Sequence, residues 1–297
     1  MSIFEQKIID THHHLWDPTT EKYDWLTAEG HEVFNHIYLM DSLINDSGNL
    51  NLIKTVHVQA EINTDEITYE TEWLQNISQN NKLGFPNAIV GFVDFMDPNF
   101  QQKLEEHQNY SNFRGIRQIL NFDKNNPKIS HAKMNYLKED EWSKNFSFME
   151  KYNLSFDLSI LWSQAVDALK IIKKYNNVLF IINHTLSPIN INQSTINDWL
   201  KSIKLLSECD NVVIKLSGFG EFNSFWSQES IQPLILNCIE SFGVKRCMFG
   251  SNFPVDKFLS TSKYIDYWCA YYNIVSNFSD DEKNKLFYIN AEEYYKV

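Results

Sequence analysis

The chain has 297 residues, 43% hydrophobic, 22% charged and 14% aromatic, enough apolar material for a sizeable core. A formal net charge of −12 excludes a nucleic-acid surface, because phosphate contacts need clustered Lys and Arg; a small anion needs only one or two placed cations. The four cysteines (Cys209, Cys238, Cys247, Cys269) show no C-x-x-C spacing, and neither a leader nor a run of about 18 apolar residues is evident, so the expectation is a cytoplasmic protein with reduced thiols and no membrane partner.

In chain order, eight short β-rich segments recur. They are KIIDTHHH (7–14), IKTVHVQAE (53–61), AIVGFVDFM (88–96), FRGIRQIL (113–120), LSFDLSIL (154–161), VLFIINHT (178–185), VVIKLSGF (212–219) and RCMFGSNFP (246–254). Helical spacing follows most of them, as in 64–82, 162–175 and 230–242. Near-continuous apolar strands alternating with helices predict a parallel sheet buried on both faces, and eight such units predict a (β/α)8 TIM barrel in one domain spanning 1–297. A doubly wound open sheet is the alternative, weakened by the lack of a Gly-rich phosphate loop after any strand. Residues 17–52 are too long for a plain strand-to-helix connection and are expected to cover the barrel mouth, where Trp16, Tyr23, Trp25 and Phe34 wall a pocket; 121–140 is a second polar insertion at that end.

Function in such a barrel gathers where the strands finish. Residues two apart on a strand share a face, so His12 and His14 of DTHHHLWDP aim together into the barrel and His13 points away. Two such imidazoles bind a divalent metal, hydrogen-bond a substrate oxygen, or simply terminate a strand; His184, ending the sixth segment, adds a convergent third. Arg114 and Arg117 are three apart and cannot both point inward; Arg117 either holds a carboxylate or hydroxyl bidentately or pairs with Asp157 or Asp94. Asp157, flanked by Phe156 and Leu158, is too costly to bury unpaired and orients either an Arg or a substrate hydroxyl. Lys215 faces inward or closes an ion pair, and His57 reads as a satisfied core histidine. His31, His36, His107 and His131 carry weaker signals.

The series DTHHHLWDP, YDWL (23–26), HVQAE (57–61), ETEWL (70–74), GFVDF (91–95), GIRQ (115–118), INHTLSP (182–188), VVIKLSGF (212–219), FGSNFPV (249–255) and NAEEYY (290–295) resembles, in order and spacing over nearly the whole chain, the amidohydrolase-related lactonases. That group contains L-fuconolactonase, L-rhamnonolactonase and dicarboxypyrone lactonase. The resemblance implies a (β/α)8 barrel that opens a small, most often sugar-derived, lactone by water attack on its carbonyl. It implies that His12, His14 and His184 hold that carbonyl, directly or through one Zn2+ or other divalent ion, since some members work without metal. Trp16, Gln59, Arg117 and Asp157 would position the substrate. The implied partner is a small lactone or sugar acid, with the protein a monomer or homodimer.

Two positions depart from the pattern. Where the group reads G-S-D-W-P-V, this chain has Asn252 and Phe253, and an amide cannot take a proton from water at neutral pH. Gln118 stands where GIRH is common. Asn252 leaves three readings open: a substitution that traps substrate, a natural site in which a histidine such as His184 is the base, or a barrel that binds a lactone or sugar acid without hydrolysing it. Amide hydrolysis and decarboxylation are further reactions open to this scaffold. A binuclear metal site is not expected, because the fourth strand offers arginines rather than a bridging lysine.

Overall fold

The computed structural model describes residues 2–189, 192 and 194–297. Eight strands form one sheet in consecutive order, each parallel to the next. They are β1 (Ile8–His13), β2 (Leu52–Val58), β3 (Ala88–Gly91), β4 (Phe113–Ile119), β5 (Ser155–Ser159), β6 (Phe180–Ile182), β7 (Val212–Leu216) and β8 (Cys247–Phe249). Helices such as Ile67–Asn80, Ala165–Lys174 and Gln228–Phe242 supply the crossovers that a parallel order requires.

Alternation along the strands sorts side chains between two layers. Ile8, Ile89, Phe156, Phe180 and Phe249 join the large cluster shared with the helices, whereas Ile9, Val56, Val90, Ile181, Val213 and Met248 form a separate small cluster inside the ring. Ala291 and Tyr295 of the last helix (Asn290–Tyr295) belong to that inner cluster and plug it.

Beyond the last strand-to-strand pairing the ring is drawn shut by hydrogen bonds from the chain after β8 to the end of β1. The Asn252 amide N–H donates to the His12 carbonyl at 2.7 Å, and His14 N–H to the Phe253 carbonyl at 2.7 Å. Buried Asp10 locks the same seam, accepting from Ser251 N–H (2.9 Å), Ser251 Oγ (2.6 Å) and Tyr264 OH (2.9 Å). This seam places the histidine run directly beside Asn252. Among the described residues no helix is long and apolar enough to cross a membrane.

Candidate active site

A cavity of about 360 Å³ opens at the carboxyl ends of the strands. Its polar lining includes His14 after β1, Glu61 after β2, Arg117 on β4, His184 after β6, Glu221 after β7 and Asn252 after β8, with His31 and His131 from the two insertions. The segment after β1 folds back over it through the antiparallel Trp16–Tyr38 bridge, so that Trp16, Trp25 and Phe34 wall one side, with ring centroids 5.4 Å (Trp16–Trp25) and 5.5 Å (Trp25–Phe34) apart. Both indoles are pinned through their N–H groups, Trp16 to the His36 carbonyl (2.9 Å) and Trp25 to the Ala60 carbonyl (2.8 Å). Tyr23 supports this wall from behind, its hydroxyl donating to buried Glu70 (3.1 Å).

The backbone is strained where the histidines are presented. His184, Thr185, Leu186 and Ser187 all have positive φ (52°, 50°, 63° and 47°), and Asn252 has φ 57°. A left-handed residue other than glycine costs roughly 1–2 kcal/mol, and more for a β-branched one such as Thr185, so such a run persists only where surrounding bonds over-determine it. Here Trp199 Nε1 donates to the Thr185 carbonyl at 2.9 Å, and Ser187 N–H to the His184 carbonyl at 2.9 Å. Strain of this kind collects at functional sites.

Three imidazoles converge. The His12 ring lies 4.3 Å from that of His184 and 5.0 Å from that of His14. Burial holds all three well below the usual histidine range; the neighbouring His184 adds to this for His12, and the Arg117 guanidinium for His14 and His184. All three are therefore neutral at pH 7 and serve as hydrogen-bonding groups rather than cations. His14 Nδ1 lies 2.7 Å from the Val58 carbonyl. A carbonyl only accepts, so Nδ1 carries the proton and Nε2 presents a lone pair. His184 Nδ1 bonds Ser217 Oγ at 2.9 Å.

A family model for amidohydrolases matches residues 9–297. The chain belongs to the amidohydrolase family. This amidohydrolase is 38% identical to y4mH, an uncharacterized protein of Sinorhizobium fredii, over 98% of each chain. It is 22% identical to an L-fucono-1,5-lactonase of Burkholderia multivorans, over 83% of this chain and 82% of that one. A solved amidohydrolase of Burkholderia multivorans with bound zinc shares the fold, with a TM-score of 0.83 at 21% identity, covering 98% of this chain and 99% of that one.

Of the positions singled out in the sequence, the amidohydrolase cavity gathers Trp16, His14, Arg117, His184 and Asn252. His12 lies buried against the other two imidazoles but is not among the lining residues. Gln59 is buried too, its carbonyl accepting from Arg117 Nη2 at 2.5 Å, so it holds the guanidinium in place from behind. Asp157 sits elsewhere. It is fully buried and accepts from Lys215 Nζ (2.5 Å), Asn183 Nδ2 (2.9 Å) and Tyr295 OH (3.1 Å), which answers the expectation that it binds a substrate hydroxyl with an ion pair inside the barrel. Gln118 points to the outer layer, bridging Trp142 Nε1 and Asp94. His13 meets His57 at 5.5 Å, away from the cavity, as the strand alternation predicts.

The sequence reading missed Glu221 and Asp256. Asn252 Nδ2 donates to Glu221 Oε2 at 3.0 Å and to Asp256 Oδ1 at 2.8 Å. Burial pushes the Asp256 carboxyl up to about 8. Glu221 follows Gly218 and Gly220 just past β7, where a carboxylate at a strand end was the available signal.

A divalent ion is the cofactor that the fold family implies. Both ring nitrogens of His12 are buried without a hydrogen-bond partner, as suits a donor. Against this, no three His, Cys, Asp or Glu side chains among the described residues converge as an ion cage. The position beside them holds Asn252, a neutral amide that brings no charge to offset a divalent ion, with its Nδ2 committed to two carboxylates. As arranged, the residues do not fit a resident divalent ion.

Proposed function

We propose that this amidohydrolase is a hydrolase that opens an uncharged, sugar-derived lactone by attack of water on the ring carbonyl. The observation that carries the reading is the composition of the cavity: neutral His14 and His184 with Arg117, and an aromatic wall of Trp16, Trp25 and Phe34 packed edge to face. Arg117 is the one Arg or Lys among the described lining residues. Its fork of donors suits the oxygen on which negative charge develops during attack. The aromatic wall suits the apolar face of a sugar ring, and the polar groups opposite suit its hydroxyls.

Charge favours a neutral ring over a dicarboxylate. Glu61 and Glu221 line the cavity with Arg117, so a substrate bearing two carboxylates meets more repulsion than attraction. The relatives named as lactonases support the reaction class at low identity.

A pH-indicator assay over a panel of neutral sugar lactones and a dicarboxylated pyrone lactone tests the proposal. At least one neutral lactone is expected to turn over, at least about tenfold faster in kcat/KM than the dicarboxylate. Absence of turnover on every lactone, with tight binding of one of them, would leave a binding protein instead.

A further inference from the structure

Resting on the lactonase reading, we infer that Glu221 is the general base of this chain: the carboxylate that elsewhere ends strand eight is here carried on the turn of helix after β7. Asn252 is retained as the amide that orients it.

Water attack on a lactone sets a requirement. A group with a basic lone pair must face both the water and the bound carbonyl, and Asn252 has none to offer. The His14 Nε2 lone pair is there to accept a substrate hydroxyl; besides it, two carboxylates line the cavity, Glu61 and Glu221. Glu61 is folded back on its own strand end: Gln59 Nε2 donates to its Oε1, and its backbone N–H donates to Gln59 Oε1 at 2.6 Å. Glu221 is differently placed. Its side chain stays exposed on the cavity wall although protein crowds it on the remaining sides, and that crowding raises its pKa. Among the described residues the hydrogen bond to the carboxylate is made at Oε2, by Asn252 Nδ2 at 3.0 Å, which leaves Oε1 for water.

The carboxylate is also held still. It belongs to the short helix Phe219–Phe222, whose first N–H groups are anchored by Asp256: Gly220 N–H donates to Oδ2 at 2.8 Å and Glu221 N–H to Oδ1 at 3.1 Å. The second Asn252 hydrogen reaches the same Asp256 Oδ1 at 2.8 Å. One amide therefore clamps both the carboxylate and the residue that fixes its backbone. An aspartate at 252 would place a third carboxyl against these two, so the asparagine and the glutamate make sense only together.

In the step itself, the water oxygen bonds to the lactone carbonyl carbon while Glu221 Oε1 takes one water proton. The carbonyl π electrons move onto oxygen beside Arg117. Collapse re-forms the carbonyl and breaks the ring C–O bond. The departing alkoxide takes the proton back from Glu221, leaving the open hydroxy acid and a carboxylate ready for the next water.

The experiment compares the parent with Glu221→Gln, Glu221→Ala and Asn252→Asp on whichever lactone the panel identifies, with melting curves to establish that each variant is folded. Glu221→Gln keeps the Asn252 contact and is expected to lose at least about 10²-fold in kcat with KM within about threefold. Formate is expected to restore part of the turnover of Glu221→Ala, which a purely structural role would not allow. Asn252→Asp is expected to gain nothing. If the parent opens a lactone and Glu221→Gln matches it within about threefold, or Asn252→Asp gains about 10²-fold, the base is not Glu221 and the lactonase reading stands without it. If the parent opens no lactone, both fall.

Discussion

Gly218 lies against the imidazole of His184 so closely that a methyl group on its α-carbon would sit 2.6 Å from Nδ1 and 2.7 Å from Cγ. Its φ of +76° adds a second reason for glycine at that point. The neighbouring Ser217 supplies the hydroxyl that bonds the same Nδ1 at 2.9 Å, so the turn after β7 both spaces and aligns the histidine of β6. Gly218→Ala is therefore expected to displace the ring, lowering kcat/KM at least about tenfold and stability by more than about 1 kcal/mol. Steady-state kinetics with a denaturant melt check this, and unchanged kinetics would mean that His184 needs no such alignment.

The Lys215–Asp157 pair gives a second prediction. Both side chains are fully buried, and Tyr295 and Asn183 complete the carboxylate's bonds. Removing one member strands a buried charge, which typically costs about 3–5 kcal/mol, whereas replacing both with apolar groups is often neutral. Lys215→Met is expected to destabilise by that amount and Lys215→Met with Asp157→Leu to recover at least half of it. KM for a lactone is expected to stay unchanged in the double variant. A selective rise in KM there would return Asp157 to substrate binding.

How far the sequence carries these conclusions differs between strand interiors and the turns beyond them. All eight strands fall on the apolar segments read from the chain, because a parallel strand buried on both faces must be apolar nearly throughout. The alternation rule put His13 away from the cavity and kept Arg114 apart from Arg117, which holds in the structure: Arg114 Nη1 bonds the Ser111 carbonyl at 2.6 Å. Asp157 was legible as needing a partner and Lys215 as facing inward or closing an ion pair, but not as each other's partners, since that depends on how the ring closes. Asp256 was not legible at all, and Glu221 only as one carboxylate among several just past a strand end. They meet through Asn252 across turns from two different strand ends, and their signal is a three-dimensional contact with no spacing in the chain.

The arrangement of imidazoles yields a third prediction. With no converging ion cage among the described residues and an amide rather than a carboxylate at 252, turnover is expected to change by no more than about twofold after dialysis against a chelator. Loss of activity that added Zn2+ restores would show that the three rings rearrange around an ion.

The last prediction concerns pH and stability. Burial pushes Asp256 up to about 8 in the fold, against an ordinary value of 3.8. Between those values the folded chain holds more protons at this site than the unfolded one, so the contribution is fully present below about pH 4 and is lost as pH rises towards 8. Glu70, pushed up to about 7 by burial, acts with the same sign. Buried His13 and His107, lowered to about 3 and about 4, act the other way, weakening the fold as the pH falls below their ordinary 6.5. Asp256→Asn isolates the first effect. The variant forfeits one bond to the Gly220 or Glu221 N–H, which lowers its whole curve without tilting it. Relative to that variant, the parent is expected to lose roughly 3–4 kcal/mol between about pH 5 and pH 8, given about 1.4 kcal/mol per unit where only the unfolded state is ionised. Urea melts at four or more pH values measure it. Parallel curves for parent and variant would mean that Asp256 ionises at its ordinary pH inside the fold, and that the Asn252 clamp joins two carboxylates rather than a carboxylate and an acid.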